Sequence, residues 1–263
     1  MESKLNLAVK IKKCEAAYIG CFTQKYDNDI VVRYRDSKLV DMYNHNFTYV
    51  KKFLSIDNMK QMIKSELDNN ISEKKDFIRL TMDEKPDAKC IEEYNGKLLI
   101  EHYGMYSYTP MKSPEWNALN EYQVEMIDDF FKVEDLVFLD VTYDSENCGE
   151  DFCNRRARRR GDVYLSEEPL SSYICYYNKM PVGKCDLFLH EGIAKIEDFV
   201  VLPSYQRRGV GTTILKYIMD QALSSGADVI YLVADEDDTP KEMYLKLGFE
   251  KAGDSYAIFG NLS

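Results

Sequence analysis

The sequence predicts an α/β fold with a mixed β-sheet in its second half, preceded by a smaller α/β (α+β) domain. Three observations carry that prediction. Apolar runs at 172–177, 182–189 and 193–202 follow one another across the turn residues Asn178-Lys179 and Glu191-Gly192, a meander of strands. The last of them leads into an amphipathic stretch at 211–224 and a further apolar run at 229–233, which reads as a strand–helix–strand crossover. Composition also changes along the chain. Residues 1–118 hold 19 Lys+Arg, 18 Asp+Glu and three glycines, whereas 119–263 hold 15, 27 and ten. The polar stretch at 109–114 sits at the change and reads as a linker, so the expected domains are 1–115 and 119–263.

In the first part, the runs at 29–34 and 77–81 read as strands. Met59, Met62, Ile63 and Leu67 between them have helical spacing. In the second part, 122–127 reads as a strand and 133–141 as a helix. A polar segment, 148–160, follows and ends in Arg155, Arg156, Arg158, Arg159 and Arg160, read by default as a solvated helix face, with an anionic ligand or the acidic surface of its own domain as the alternatives. The helix at 211–224 buries one stripe of Ile214, Leu215, Ile218, Met219 and Ala222, with Gly226 as its left-handed cap. After a buried strand at 229–233, a short helix at 239–247 carries Pro240 at its first position, where a missing N–H is harmless.

Composition excludes several kinds of function. The chain has 263 residues, 45 % hydrophobic and 30 % charged, which is globular rather than disordered. Its net charge of −11, concentrated in the second part, argues against general nucleic-acid binding, because that needs positive surface to displace counterions. No stretch approaches the roughly 20 apolar residues that span a bilayer. The opening MESKLNLAVKIKKC lacks a secretory core, so the expectation is a cytoplasmic protein with no membrane partner. The seven cysteines form no C-x-x-C, and Cys148 and Cys153 have no histidine nearby; reduced thiols and no metal site are expected. His45, His102 and His190 share no spacing, which weakens any Ser-His-Asp or Cys-His scheme. Carboxylates, tyrosines and backbone groups are left to do the chemistry.

The informative stretch is 201–212, VLPSYQRRGVGT, between a buried strand and an amphipathic helix. Gly209 and Gly211 let the backbone approach a ligand, and the first-turn N–H groups of the helix can point at an anion. A pyrophosphate is the natural guest, with Arg207 and Arg208 adding charge. A G-x-G loop alone equally suits a tight turn without a ligand. No Gly-Lys-Ser/Thr follows to complete a P-loop, and no third glycine completes a dinucleotide fingerprint.

Gln206-Arg-Arg-Gly-Val-Gly211, preceded by Val201-Leu-Pro203, resembles the acyl-CoA-binding motif Q/R-x-x-G-x-G/A of the GNAT superfamily of N-acyltransferases. Tyr244-Leu-Lys-Leu-Gly-Phe249, one helix and one strand later, resembles the superfamily's late Tyr-x-Lys-x-Gly-Phe motif. The resemblance covers about residues 120–260. It implies a GNAT-like acyltransferase fold in the C-terminal half, with pantetheine lying along the splayed fourth strand. The backbone of Phe199, Val200 and Val201 would bond it, while those side chains serve the core. The N–H groups from Arg207 through Arg208, Gly209, Val210 and Gly211 to Thr212 would hold the pyrophosphate, beside Gln206. One strand amide would stabilise the oxyanion.

Tyr244 matches the family's general acid for the departing thiolate. The asparagine common seven residues earlier is Asp237 here. For the general base, alternation sends Glu197 and Asp198 to opposite faces. Asp198-Phe-Val-Val201 resembles an acidic-Leu-Ala-Val run whose acid faces the substrate cleft, which favours Asp198 over Glu197; deprotonation through ordered water stays open.

The function implied is an acetyl-CoA-dependent N-acetyltransferase that transfers the acetyl group directly to a primary amine. The acceptor would be a small molecule or a peptide. The alternatives are a catalytically silent CoA-binding sensor or partner-binding module, and a nucleotide-binding protein built on the same loop. Residues 1–118 either shape the acceptor cleft or are a shortened copy of the same fold.

Overall fold

A computed structural model describes residues 2–73, 75–109, 115–237 and 240–261. The expected linker therefore lies outside the described residues, apart from Thr109. The chain begins with α1 (Glu2–Gly20), β1 (Gln24–Asp27), β2 (Val31–Arg35), β3 (Thr48–Val50), α2 (Ile56–Ser72) and β4 (Phe77–Met82). Next come β5 (Leu99–Tyr108), β6 (Tyr122–Met126), α3 (Phe130–Cys148), α4 (Glu150–Tyr164), β7 (Leu170–Tyr177) and β8 (Met180–His190). The remainder is β9 (Ile193–Val201), α5 (Val210–Ser224), β10 (Val229–Asp235), α6 (Pro240–Lys246) and β11 (Glu250–Asn261). Among the described residues, no helix is long and apolar enough to cross a membrane.

The chain folds as two compact units, and they are not the two halves of the sequence. Residues 1–21 join 107–232 in one unit, and 22–106 join 233–263 in the other. Two elements that sequence reading passed over cause the interleaving. The α1 helix packs on β8 and β9 through a stripe of Ile11, Cys14 and Tyr18. At the other end, β11 runs antiparallel to β4 from Tyr256↔Met82 to Asn261↔Phe77. The polar 148–160 stretch is mostly helix: Gly149, at φ 82, ends α3 and starts α4.

In the first unit the strands lie in the order β10-β9-β8-β7-β6, antiparallel except for β10 beside β9. Alternation along β8 decides what each face meets. Lys184, Asp186 and Phe188 point to one face, where they meet Asp140 of α3, Tyr164 of α4 and Tyr18 of α1. Gly183 opens on the other face, where a Cβ would come within 2.9 Å of Ile214 of α5. Gly226 adopts φ 83 after α5, the cap that the sequence implied.

The second unit has the order β1-β2-β3-β4-β11-β5. Met59 and Ile63 of α2 join Val31, Val50, Ile78, Leu80 and Ile258 in its core. A cavity of about 310 Å³ opens beyond β3 and β4, walled by Phe53, Leu54, Met59, Met82 and Cys90 among others. Both units contain the same run: three antiparallel strands, a helix, and a fourth strand parallel to the third. In one it is β7-β8-β9-α5-β10; in the other, β1-β2-β3-α2-β4.

The α3–α4 packing gives a test. A Cβ on Gly161 would lie 2.7 Å from Cγ1 of Val133. Helix propensity alone would favour Gly161→Ala by about 1 kcal/mol. Overpacking against a β-branched neighbour costs about 1–3 kcal/mol. Gly161→Ala is therefore expected to lower stability, by about 1 kcal/mol net, as read from urea unfolding midpoints at constant slope.

Candidate functional site

The site begins where β9 leaves β10. Their parallel ladder runs through Val229↔Ile193, Ile230↔Ala194 and Tyr231↔Lys195 and stops there. From Ile196 to Val201, β9 has no strand partner on that edge among the described residues. On its other edge β9 pairs with β8, but the register slips. Asp186 faces Glu197 and Lys184 faces Val200, so Asp198 and Phe199 together stand opposite Cys185. This is a β-bulge, and its first residue, Asp198, has φ 49. Glycine is the usual occupant of that conformation.

The bulge overturns the expectation that Glu197 and Asp198 face opposite ways. Glu197 lies across from Asp186, on the face of α1, α3 and α4, and bonds Lys195 at 2.9 Å. Lys195 also bonds Glu15 of α1 at 2.6 Å and sits over the ring of Tyr18. The Asp198 carboxylate lies toward the same face, gripped by Lys184 and Arg160. Beyond the bulge, alternation resumes one step out of phase. Phe199 and Val201 therefore point toward α5, with the Phe199 ring 3.2 Å from where a Gly211 Cβ would be.

Behind Asp198 stands a buried charge network. Lys184 bonds Asp140 at 2.5 Å, Arg156 bonds Asp140 at 2.9 Å and Asp144 at 2.8 Å, and Arg160 lies 3.9 Å from Asp186. The arginine run thus divides by helix face. Arg155 and Arg158 pair with Asp151 and Glu134 at the surface, while Arg156 and Arg160 turn inward. Burial would raise the Asp198 carboxyl, but Arg160 and Lys184 outweigh it and hold the group well below the usual carboxylate range. Burial raises Asp186, and the charge of Asp198 raises it further, against the pull of Arg160 and Lys184. Tyr164 donates to Asp186 at 2.7 Å. Two buried cations thus hold the Asp198 carboxylate in place, and each opposes its protonation.

At the end of β9 the loop turns into α5. Gln206 donates to the Val201 carbonyl at 3.1 Å. Arg207 adopts φ 61 and Gly209 φ 83. The loop glycines have internal reasons as well as any ligand: a Cβ on Gly209 would meet Leu119 at 2.6 Å, and Gly211 leaves room for Phe199. Among the described residues no side chain caps α5, and the first-turn N–H groups of Val210, Gly211 and Thr212 lack the intrahelical partners that later turns have. Arg207 and Arg208 are exposed beside them. Tyr244 belongs to the other unit. It is buried on α6, edge-on to Phe249 with ring centroids 6.0 Å apart.

Residues 126–249 match the acetyltransferase (GNAT) family. The chain carries a GNAT acetyltransferase domain. It is similar to the uncharacterized N-acetyltransferase CgeE of Bacillus subtilis (strain 168), 24 % identical over 258 residues, covering 94 % of this chain and 96 % of that protein. Among solved structures, a conserved protein of unknown function from Staphylococcus epidermidis has a TM-score of 0.75 at 19 % identity, covering 91 % of this chain and 94 % of that one. A GCN5-related N-acetyltransferase from Kribbella flavida has a TM-score of 0.66 at 13 % identity, covering 97 % and 95 %. At those identities the likeness is one of fold. It extends beyond the GNAT domain to the elements that precede it.

Sequence reasoning missed Lys184, Asp186, Asp140 and Arg160 as parts of this centre. Lys184 and Asp186 do carry a signal: two charges at alternate positions on one face of an otherwise apolar strand. Asp186 supplies a test. In the unfolded chain it titrates near 4, and the folded protein raises it. Between those two values the folded state binds more protons, so stability falls as pH rises. Asn keeps the acceptor for Tyr164 but cannot ionise. From about pH 5 to pH 8, the melting midpoint of the wild type should decline relative to that of Asp186→Asn; parallel curves would contradict the raised carboxyl.

Proposed function

We propose that this N-acetyltransferase uses acetyl-CoA and transfers the acetyl group directly to a primary amine on a small molecule or peptide. The observation that carries the reading is the open edge of β9 from Ile196 to Val201, running into the uncapped end of α5. Pantetheine has amide groups suited to lie along Phe199, Val200 and Val201 as an extra strand. Its pyrophosphate suits the N–H groups from Arg207 to Thr212, with the helix dipole and the side chains of Arg207 and Arg208 adding positive charge.

The amine nitrogen attacks the thioester carbonyl carbon, a β9 amide stabilises the oxyanion, and the carbon–sulfur bond breaks. CoA leaves as a thiolate and takes a proton from Tyr244. A thiol titrates near 8.5 and a tyrosine near 10, close enough for transfer within hydrogen-bond reach. The amine's proton goes to Glu197, directly or through water. Glu197 is favoured over Asp198 because its side chain is 33 % exposed and is not gripped by two buried cations. The acidic second part of the chain favours a cationic acceptor. The repeated strand order supports reading residues 22–106 as a shortened copy of the same fold.

Calorimetric titration with acetyl-CoA, with CoA and ATP as controls, followed by thiol release over a panel of amines and peptides, tests the reading. Acetyl-CoA is expected to bind and thiol to appear. Binding without release for any acceptor would favour the silent sensor, and ATP binding as tight as acetyl-CoA would overturn the cofactor. Replacing Arg207 and Arg208 together by Ala should weaken acetyl-CoA by about tenfold. Glu197→Gln and Tyr244→Phe should each keep acetyl-CoA affinity and lower turnover by about 100-fold or more.

A further inference from the structure

We propose that Asp198 is a positioning residue. Its carboxylate, clamped by Arg160 and Lys184, holds its own backbone left-handed and so sets the β9 backbone along which acetyl-CoA lies. The inference rests on the proposed function for the ligand and on the structure for the clamp.

Three observations meet at this residue. Asp198 and Phe199 stand opposite Cys185 alone, so the bulge exists only while Asp198 departs from strand geometry. It departs at φ 49, in a region that costs a non-glycine residue free energy. The carboxylate of that same residue is held from two independent elements, Arg160 of α4 and Lys184 of β8. Neither cation is free to drift: Lys184 is tied to Asp140 on α3, and Arg160 is buried.

The clamp therefore supplies what the strained backbone lacks. Without the bulge, Phe199 and Val201 would keep the phase of Lys195 and Glu197 and turn away from α5. The unpartnered edge from Phe199 to Val201 would then present its N–H and C=O groups out of register for a bound strand-like ligand.

Comparison of Asp198→Ala with Asp198→Gly decides the matter. Both remove the clamp, but only glycine adopts φ 49 without strain. Asp198→Ala is expected to weaken acetyl-CoA by about tenfold and to speed amide hydrogen exchange at residues 199–201 in the free protein, read by NMR. Asp198→Gly should recover most of both losses. Equal behaviour of the two variants in both measurements would overturn the proposal, as would wild-type affinity in Asp198→Ala. Wild-type affinity with abolished thiol release in both would mark Asp198 as a proton acceptor instead. If the wild type itself binds no acetyl-CoA, the proposed function fails, while the exchange comparison still decides the clamp. Should Asp198→Ala fail to fold, Asp198→Asn and Asp198→Thr carry the same comparison, since asparagine tolerates the left-handed region and the β-branched threonine does not.

Discussion

Burying an ion costs several kcal/mol even after the protein relaxes around it, so a buried charge persists only where partners surround it. The unit that contains β9 gathers Arg156, Arg160 and Lys184 with Asp140, Asp144, Asp186 and Asp198 on one face of its sheet. With Asp186 protonated, three positive charges meet three negative ones, which is the state that its raised pKa favours. Replacement of such a network by apolar side chains can leave stability unchanged or improve it. Its use here is geometric. Cations fixed on α4 and β8 reach one carboxylate, that of the residue whose backbone stands at φ 49.

Comparison of the two units shows what this geometry changes. Both contain three antiparallel strands, a helix and a parallel fourth strand. In the second unit, β3 is only three residues long and all three pair with β4, from Thr48↔Leu80 to Val50↔Met82. In the first unit, β9 runs nine residues, pairs with β10 over three, and bulges where Asp198 turns left-handed. A strand paired to its end offers no main-chain edge to a ligand; a strand that outruns its partner does. The β3–α2 connection contains no glycine, whereas Gly209 at φ 83 starts α5. One chain order therefore gives a closed ladder in one unit and an open edge in the other.

The legible parts of the sequence were those whose signal is local. The meander, the crossover helix with its apolar stripe, and the glycine loop each declare themselves within about 15 residues. The N-terminal helix was also written locally, in Ile11, Cys14 and Tyr18, but its charged surroundings hid the stripe. Other features depend on partners far along the chain. Gly253 and Gly260 interrupt the apolar pattern of β11, and Gly260 is required because a Cβ there would lie 2.4 Å from the Lys97 carbonyl. The two compact units follow chain contacts rather than composition: composition changes near residue 118, but β11 belongs to the ladder of β4. The bulge was the least legible feature. Its cause is a salt link from β9 to α4 and β8, and strand alternation read from sequence assumes that no such link intervenes.

That link also separates the tasks of two adjacent carboxylates. As a proton acceptor, an acid must gain a proton at low cost when the amine reacts, and each cation held against it raises that cost. Asp198 has two, both buried, and protonating it would release the grip that holds φ at 49. Glu197 shares Lys195 with Glu15 and is half-buried, so it can accept a proton while Lys195 keeps a partner. Proton transfer at Asp198 would loosen the strand edge proposed for the thioester, whereas proton transfer at Glu197 would leave it in place. The residue that sequence motifs favour as base is therefore the one whose charge the fold can least spare.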